Sequence, residues 1–267
     1  MPSSNIFELH HRRRHLGIWR LLCSIPMNLI IYPLVVLWTL SGIIFFPIVF
    51  LFWRVILRWD SARIMRLFIW LYGRGWLVIM SPFLQFRRMG FDKGTIKPPY
   101  IIVINHLSFF DFWCMALLPF SNVVVAVRSW PFKMPWFAPF MKLAGYLDVE
   151  SLGWTGSLSS GAEILRKGGS VLFFPEGHRS RDGKLQRFYS GPFKLSEETG
   201  INILPLCITG TDMFLPPGSW WMIPAKIYLK ALTPIDPKDF HMTLGHMKLQ
   251  KHTKTMIAQN LAEMRKA

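Results

Sequence analysis

The chain is short of acidic side chains and of cysteines. Of its 267 residues only 15 are Asp or Glu, against 31 Lys or Arg, which leaves a formal net charge of +16. The three cysteines, Cys23, Cys114 and Cys207, are odd in number and form no Cys-x-x-Cys pair. This spacing indicates neither a disulfide framework nor a zinc site, and it fits a reducing compartment.

Charge is missing altogether from residues 21–53, which lie between Arg20 and Arg54. The run is too long for the apolar core of a signal peptide, and no small-residue cleavage site is evident near its end. As one straight helix it would measure about 50 Å, against a hydrocarbon core of about 30 Å. We therefore predict a membrane helical hairpin that turns near Ser41–Gly42, with a single tilted span as the alternative.

Both flanks of this run are basic, with "HHRRRH" at 10–15 on one side and four arginines between 54 and 66 on the other. Because basic flanks stay on the cytoplasmic side, the domain that follows is expected on the cytoplasmic face of a membrane, the inner membrane in a bacterium. The chain is also 51% apolar, with 22 Phe and 12 Trp. This surplus favours an anionic membrane surface as partner and not nucleic acid, where it would have no use.

Three regions follow from these patterns. A basic segment is expected at 1–20, a membrane hairpin with an amphipathic interfacial helix at 21–80, and a catalytic domain at 81–267. Within the second region, residues 58–80 place arginines between apolar residues at spacings of three and four, which suits a helix lying in the membrane interface. A core helix of the domain is the alternative.

The third region alternates short apolar runs with helical patterns. Nearly continuous apolar strands are typical of a sheet covered on both faces. The expected fold is therefore α/β, a two-layer or three-layer sandwich with a largely parallel sheet, preceded by the membrane hairpin. Strands are expected at 100–104, 123–127, 170–174, 203–208 and 227–232, and helices at about 110–118, 134–144, 155–167, 190–199 and 246–265.

The sequence "NHLSFFD" at 105–111 places a titratable pair where the first apolar run ends. The short loop between His106 and Asp111 allows the carboxylate to fold back onto the imidazole. A carboxylate at one ring nitrogen raises the basicity of the other, which then takes a proton from a hydroxyl. The alternative is a histidine that satisfies a strand end and an aspartate that caps a helix.

Two further interpretations of these residues are weaker. Ser108 lacks the strand-turn-helix elbow of a hydrolase nucleophile, so it is expected to be a loop residue. A metal site is a second possibility, since four residues near the two motifs have side chains that can bind metal ions. Their spacing matches no known type of metal site, so we expect no metal there. The four residues are His106, Asp111, Glu176 and His178.

A second strand end carries "FPEGHRS" at 174–180. Pro175 and Gly177 predict a rigid turn, and Glu176, His178 and Arg179 surround it. Backbone amides and guanidinium groups at such a turn bind phosphate or another anion. An ordinary polar turn is the alternative.

Together these blocks resemble the signatures of the glycerophospholipid acyltransferases of the lysophosphatidic acid (1-acylglycerol-3-phosphate) acyltransferase type. "NHLSFFD" is similar to their N-H-x-x-x-x-D block, "FPEGHRS" to their F-P-E-G-T-R-S block, and "ILPLCITG" at 203–210 to a later apolar block. The resemblance implies a membrane-bound O-acyltransferase without a cofactor, which uses acyl-CoA or acyl-carrier protein as the acyl donor and a lysophospholipid as the acceptor.

The resemblance also implies roles for individual residues. His106 would deprotonate the acceptor hydroxyl, and Asp111 would orient His106. The residues expected to bind substrate are Arg128, Pro175, Glu176, Gly177, His178, Arg179 and Ser180. Arg128 stands where the family has a lysine, whereas Ser151 stands where a phosphate-binding arginine is expected.

The replacement at Ser151 leaves the acceptor open. The first hypothesis is acyl transfer to 1-acyl-glycerol-3-phosphate, which would give phosphatidate. The second is the same chemistry on another acceptor, such as a lipid amine, a sugar or a polyene precursor. A third, of another class, is a noncatalytic lipid-binding membrane protein.

Overall fold

The computed structural model describes residues 18–92, 96–135, 137–240 and 243–266. The predicted basic segment at 1–20 therefore lies outside the described residues as far as residue 17. Seven strands form one sheet. They are β1 (Gln85–Met89), β2 (Ile101–Ile104), β3 (Val123–Val127), β4 (Leu147–Asp148), β5 (Ser170–Phe173), β6 (Ile203–Thr209) and β7 (Lys226–Ala231).

The sheet is largely parallel, as predicted. Its strand order is β1-β7-β6-β2-β5-β3-β4, in which β7 pairs antiparallel with β6 and the other neighbouring strands pair parallel. Each predicted strand is present with ends that differ by one residue at most. β1 and β4 were not predicted, because β1 is a polar edge strand, exposed at four of its five residues, and β4 has only two residues.

Helices cover the sheet, and two groups of them pack among themselves. The first group includes α1 (Ile18–Val55), α2 (Ser61–Met80), α3 (Asp111–Cys114) and α4 (Ala138–Ala144), and the second includes α5 (Gly153–Arg166), α6 (Gly191–Thr199) and α8 (Gly245–Met264). A short helix, α7 (Thr211–Phe214), follows β6. Every residue of β2 and β6 is buried, which requires cover on both faces and favours the three-layer arrangement.

Two predicted helices are shorter than expected. The helix predicted at 110–118 is α3 followed by a 3-10 turn at Met115–Leu117. The helix predicted at 134–144 is reduced to α4, with a separate 3-10 turn at Trp130–Lys133 before it. Prolines interrupt this second segment, and a proline ring lacks the N–H that a continuing helix needs.

The predicted turn at Ser41–Gly42 is wrong, although a helix pair is present. α1 runs without a break for 38 residues and includes three prolines. Gly42 instead faces α2, where a Cβ would lie 3.7 Å from the rings of Phe68 and Tyr72, an ordinary contact distance. The chain turns instead between α1 and α2, where Asp60 caps α2 by accepting the N–H groups of residues 62 and 63 at 3.1 Å.

α1 packs along the body of the protein by one face and exposes the other. Its buried residues recur at helical spacing, at Ser24, Met27, Asn28, Ile31 and Val35. Further along, the ring of Phe46 contacts Phe68 of α2 and Phe140 of α4, with centroids 4.7 and 6.2 Å away. α1 therefore contacts the rest of the chain between Ser24 and Phe46, and its outer face is a continuous apolar surface.

α2 is the core helix that the sequence analysis considered as the alternative for residues 58–80. Ile64, Met65, Gly73, Leu77 and Met80 are buried, and the helix packs on α1, α3 and α4. Its arginines lie at the edges of this buried stripe. A role in the membrane interface stays a prediction.

Candidate active site

Three strands end at the same edge of the sheet and carry the polar groups that the sequence singles out. β2 is followed by Asn105 and His106, β5 by the turn at 174–180, and β3 by Arg128. β5 lies between β2 and β3, and all three run parallel. Because carboxyl ends of parallel strands meet at one edge, the two motifs and the cation share one region of the surface.

The imidazole of His106 and the carboxylate of Asp111 form a hydrogen bond. Nδ1 of the ring lies 2.8 Å from Oδ2 of Asp111. The same oxygen accepts the backbone N–H of Leu107 at 2.6 Å and that of Ser108 at 2.9 Å, so the loop closes around the carboxylate. Asp111 is completely buried, whereas 20% of the His106 side chain is exposed. The loop thus holds one side of the ring and leaves another accessible.

This arrangement determines what the ring can do. A carboxylate only accepts hydrogen bonds, so Nδ1 carries the hydrogen and the lone pair of the neutral ring lies on Nε2. The His106 ring also stacks on Phe174, with ring centroids 4.2 Å apart. A neutral imidazole fixed in this way is suited to accept a proton from a hydroxyl.

The alternative interpretation of Asp111 as a helix cap is wrong. Asp111 is the first residue of α3, the N-cap is Phe110, and no side chain caps the helix. The carboxylate is instead directed at His106 and the loop that follows it.

Glu176 joins the two motifs. Its Oε1 accepts the backbone N–H of His106 at 2.7 Å, and its Oε2 accepts that of Gln186 at 2.7 Å. The side chain is buried, and this burial raises the pKa of the Glu176 carboxyl although the two backbone N–H groups oppose the shift. The N–H of Ser180 adds a second link by donating to the carbonyl of His106 at 2.8 Å. Glu176 therefore faces the protein and positions the loop of His106.

The turn around Gly177 is held tightly. Gly177 has a φ of +71°, and a Cβ at this position would come within 2.7 Å of the Tyr189 ring. The N–H of Tyr189 donates to the carbonyl of Pro175 at 2.7 Å. Ser180 is buried, and its hydroxyl lies 3.0 Å from Asp182 and 2.7 Å from the carbonyl of Lys184. Pro175, Gly177 and Ser180 thus shape the turn.

The exposed basic residues predicted to bind substrate lie just beyond the ends of β3 and β5. His178 and Arg179 are both exposed at the turn after β5. Arg128 is exposed after β3, where its Nε donates to Glu150 at 2.6 Å. Ser151, at the position of the expected arginine, donates its hydroxyl to Asp148 at 2.7 Å. The end of β3 therefore combines one arginine with two carboxylates.

Neither Ser108 as a nucleophile nor a metal site is supported among the described residues. The Ser108 hydroxyl donates to the carbonyl of Leu215 at 2.7 Å, as expected of a loop residue. Within the described ranges, no group of three or more His, Cys, Asp or Glu is arranged to hold a metal ion. Oδ2 of Asp111 and both carboxylate oxygens of Glu176 accept hydrogen bonds from the loops around them.

Three positioning residues were missed by the sequence analysis. Asn105 fastens β2 to β6, because its amide donates to the carbonyl of Ile208 and accepts that residue's N–H, each at 2.9 Å. Phe174 supports the His106 ring, and Gln186 completes the bonding of Glu176. Asn105 lies inside the quoted motif and could have been found there. Nothing in the sequence marks Gln186, which acts through its backbone.

Comparisons with known proteins agree with this site. The model of the Acyltransferase family matches residues 85–209, which include both motifs and Arg128. The chain is 30% identical over 151 residues to the chloroplastic 1-acyl-sn-glycerol-3-phosphate acyltransferase LPAT1 of Arabidopsis thaliana, covering 53% of this chain and 41% of that protein. It is 31% identical over 179 residues to a 1-acyl-sn-glycerol-3-phosphate acyltransferase of Limnanthes douglasii, covering 64% and 62%. The chain thus spans less than two-thirds of these relatives.

A solved structure has the same fold. The crystal structure of the 1-acyl-sn-glycerophosphate (LPA) acyltransferase PlsC from Thermotoga maritima matches with a TM-score of 0.74 and 22% identity. The match covers 92% of this chain and 98% of that one, so it includes the helix pair as well as the sheet. In its motifs and its fold the chain is therefore similar to acyltransferases, and residues 85–209 match the model of that family.

Proposed function

We propose that this protein transfers a fatty acyl chain from acyl-CoA or acyl-carrier protein to the free hydroxyl of 1-acyl-glycerol-3-phosphate, giving phosphatidate. The observation that carries the proposal is the 2.8 Å bond between His106 and Asp111 at a strand end that Glu176 ties to the second motif. The relatives named above support the acceptor.

In the proposed reaction the imidazole of His106 acts as the general base. Nε2 of His106 takes the proton of the acceptor hydroxyl while its oxygen attacks the thioester carbonyl carbon. A C–O bond forms, the tetrahedral intermediate collapses, and the C–S bond breaks. The imidazolium then returns the proton to the leaving thiolate, and Asp111 stabilises the transient positive charge. No acyl-enzyme is required.

Two exposed arginines suit the phosphate of the acceptor. Arg128 and Arg179 follow β3 and β5, the second neighbour and the direct neighbour of β2, so both strand ends lie within about 10 Å of the end of β2. Guanidinium groups bind phosphate by paired hydrogen bonds. Binding would require Arg128 to exchange Glu150 for the phosphate, which is an inexpensive step because both partners are exposed.

The helix pair supports a location on a membrane. We place its apolar outer face within one leaflet, because the opposite face of α1 contacts the body of the protein between Ser24 and Phe46. The arginines around the turn at 56–60 would lie among headgroups on the same side as the catalytic domain, which we assign to the cytoplasmic face.

The end of β3 favours a second acceptor. Asp148 and Glu150 flank Arg128, and Ser151 replaces the arginine that the family resemblance leads one to expect. Two carboxylates beside one cation suit a headgroup that carries an amine or hydroxyls better than a bare phosphate.

One assay separates these functions. Purified full chain in mixed micelles is given acyl-CoA or acyl-carrier protein with 1-acyl-glycerol-3-phosphate, or with a lysolipid whose headgroup carries an amine, and release of the thiol is followed. The first function predicts release with the phosphate acceptor. Release with the amine acceptor alone supports the second. Silence with every pair contradicts the assignment as an acyltransferase of lysolipids.

A further inference from the structure

The segment Leu215–Met222, called here the tryptophan loop, exposes two large aromatic side chains. Trp220 is 81% exposed and Trp221 is 46% exposed. The loop is closed at its base, where the N–H of Ile223 donates to the carbonyl of Phe214 at 2.9 Å. Tryptophan has an apolar body with one polar N–H, and its preferred place is the boundary between bilayer and water.

One end of the tryptophan loop is fastened to α1 by a buried amide. Asn28 donates from Nδ2 to the carbonyl of Met222 at 2.8 Å and accepts the N–H of Met222 on Oδ1 at 3.1 Å. Asn28 is 3% exposed and stands in the uncharged run of α1. A buried amide in such a helix is costly unless it is paired, and this one is paired with the loop.

Two more polar side chains of α1 hold the same loop. The indole N–H of Trp221 donates to Ser24 Oγ at 2.9 Å, and the hydroxyl of Tyr32 donates to the carbonyl of Trp220. Residues 24, 28 and 32 are spaced by four, so they form a row along one side of the helix. The polar side chains in this part of α1 therefore all form hydrogen bonds to the tryptophan loop.

The row borders the outer apolar face of α1. Leu29 and Val36 lie three residues before and four after Tyr32, so they share its side of the helix, and they are 70% and 56% exposed. Trp220 is attached at Tyr32 and so continues this exposed face. The surface that would contact the bilayer thus extends from the helix onto the loop.

The other end of the tryptophan loop is bonded to the catalytic loop. Ser108, between His106 and Asp111, donates its hydroxyl to the carbonyl of Leu215 at 2.7 Å. The rings of Phe110 and Phe214 pack edge to face with centroids 4.6 Å apart. A single short segment therefore connects α1 to the motif that carries the histidine.

We infer that the tryptophan loop is a second membrane-docking element, which inserts Trp220 into the interface of a phospholipid bilayer beside α1. This inference rests on the proposed membrane location. Because the loop is tied to α1 at Tyr32 and Asn28 and to the catalytic loop at Ser108, it holds the His106 loop at a fixed height above the bilayer surface. Its occupant is the headgroup and upper acyl region of the lipid, since the loop continues an apolar face long enough to enter a membrane.

The test uses an environment-sensitive fluorophore at one engineered cysteine in the full chain. Cys23 is first replaced by serine, since it is exposed, whereas Cys114 and Cys207 are buried. The label is placed at Trp220→Cys, at Leu29→Cys on the outer face of α1, or at Lys251→Cys on the exposed surface of α8, which belongs to the other helix layer. Vesicles contain phosphatidylglycerol and phosphatidylcholine, with or without lipids that carry a nitroxide near the headgroup.

The inference predicts a blue shift on vesicle binding and at least twofold quenching by nitroxide lipid at 220 and 29, with little change at 251. Adding Asn28→Leu should reduce the quenching at 220 and leave that at 29 unchanged. A label at 220 that responds no more than the one at 251 overturns the inference, whatever the label at 29 reports. Because no substrate is present, this outcome is independent of the acyl-transfer assay.

Discussion

At the residue scale, two buried carboxylates hold the loops of the site in place. Asp111 is buried and takes three donors on one oxygen, and Glu176 is buried and takes one backbone N–H on each oxygen. The pairing of His106 with Asp111 could be predicted from the sequence, because both residues lie in one motif of seven residues. Nothing in the sequence indicates that Glu176 faces inward, since that depends on how the turn after β5 lies against the end of β2.

Asp111→Asn should lower turnover by about 10²-fold or more, because the amide lacks the charge that stabilises the imidazolium. An amide nitrogen at the Oδ2 position would also face the N–H groups of Leu107 and Ser108. Turnover is compared with that of Glu198→Gln, which changes an exposed carboxylate of α6. Equal turnover of the Asn variant and the wild type would remove the orienting role.

Glu176→Gln should lower the free energy of unfolding by about 1–3 kcal/mol, because one of the two backbone N–H groups would face an NH₂ group. Thermal or denaturant unfolding in detergent measures the change. If the variant unfolds like the wild type, Glu176 does not bind the two motifs together.

The pH dependence of unfolding gives an independent check on Glu176. Burial raises the pKa of the Glu176 carboxyl in the folded protein above the ordinary 4.5 of an exposed glutamate. At a pH between the ordinary pKa and the raised one, the folded state therefore binds more protons than the unfolded state. In that window this group's contribution to stability falls as the pH rises. The fall should be absent from Glu176→Gln, and an unchanged pH profile would show that the carboxyl is not shifted.

At the element scale, the position of the turn between the first two helices could not be predicted from the sequence. The uncharged run predicted a hairpin of two helices that turns at Ser41–Gly42, but the whole run forms the single helix α1, and its partner is the separately predicted helix at 58–80. In the structure Gly42 is a contact point with α2, and the turn occurs after the charge returns, just before the N-cap Asp60. A glycine in an apolar run fits a turn and a close helix contact equally well, and only the partner helix decides between them.

Gly75→Ala tests the contact between α1 and α2. A Cβ at Gly75 would lie 2.2 Å from the ring of Trp38, whose indole N–H donates to the carbonyl of Tyr72 at 3.0 Å. The ring must move and this bond is lost, so the unfolding temperature should fall by several degrees. Gly156→Ala in α5 is the control, since its Cβ meets only Leu152 at ordinary distance and alanine favours a helix. Equal melting of the two variants would contradict the packing of the pair.

At the scale of the whole molecule, the basic charge and the apolar outer face of α1 both favour the proposed membrane location. A net charge of +16 would attract the chain to an anionic surface, and the exposed face of α1 would enter the acyl region. The strand order placed both motifs at one edge, an outcome that the alternation of strands and helices already implied. The contacts of α1 with the body and with the loop before β7 are long-range and have no counterpart in any local pattern.

Labelling from outside tests whether the helix pair stays in one leaflet. Leu57→Cys, in the turn after α1, is made in a chain with Cys23→Ser and bound to preformed vesicles. A membrane-impermeant maleimide should react without permeabilisation, because the turn lies on the same side as the catalytic domain. Reaction only after the vesicles are opened would show that α1 crosses the bilayer.

The most direct measurement is the rate of acyl transfer by His106→Ala with the acceptor and donor that the wild type uses. The variant should lose about 10²–10⁴-fold in rate, which is the contribution of a general base. Its melting temperature and its binding to vesicles should stay at the wild-type values. A His106→Ala protein that transfers acyl chains at the wild-type rate would contradict the proposal that this imidazole takes the proton of the acceptor.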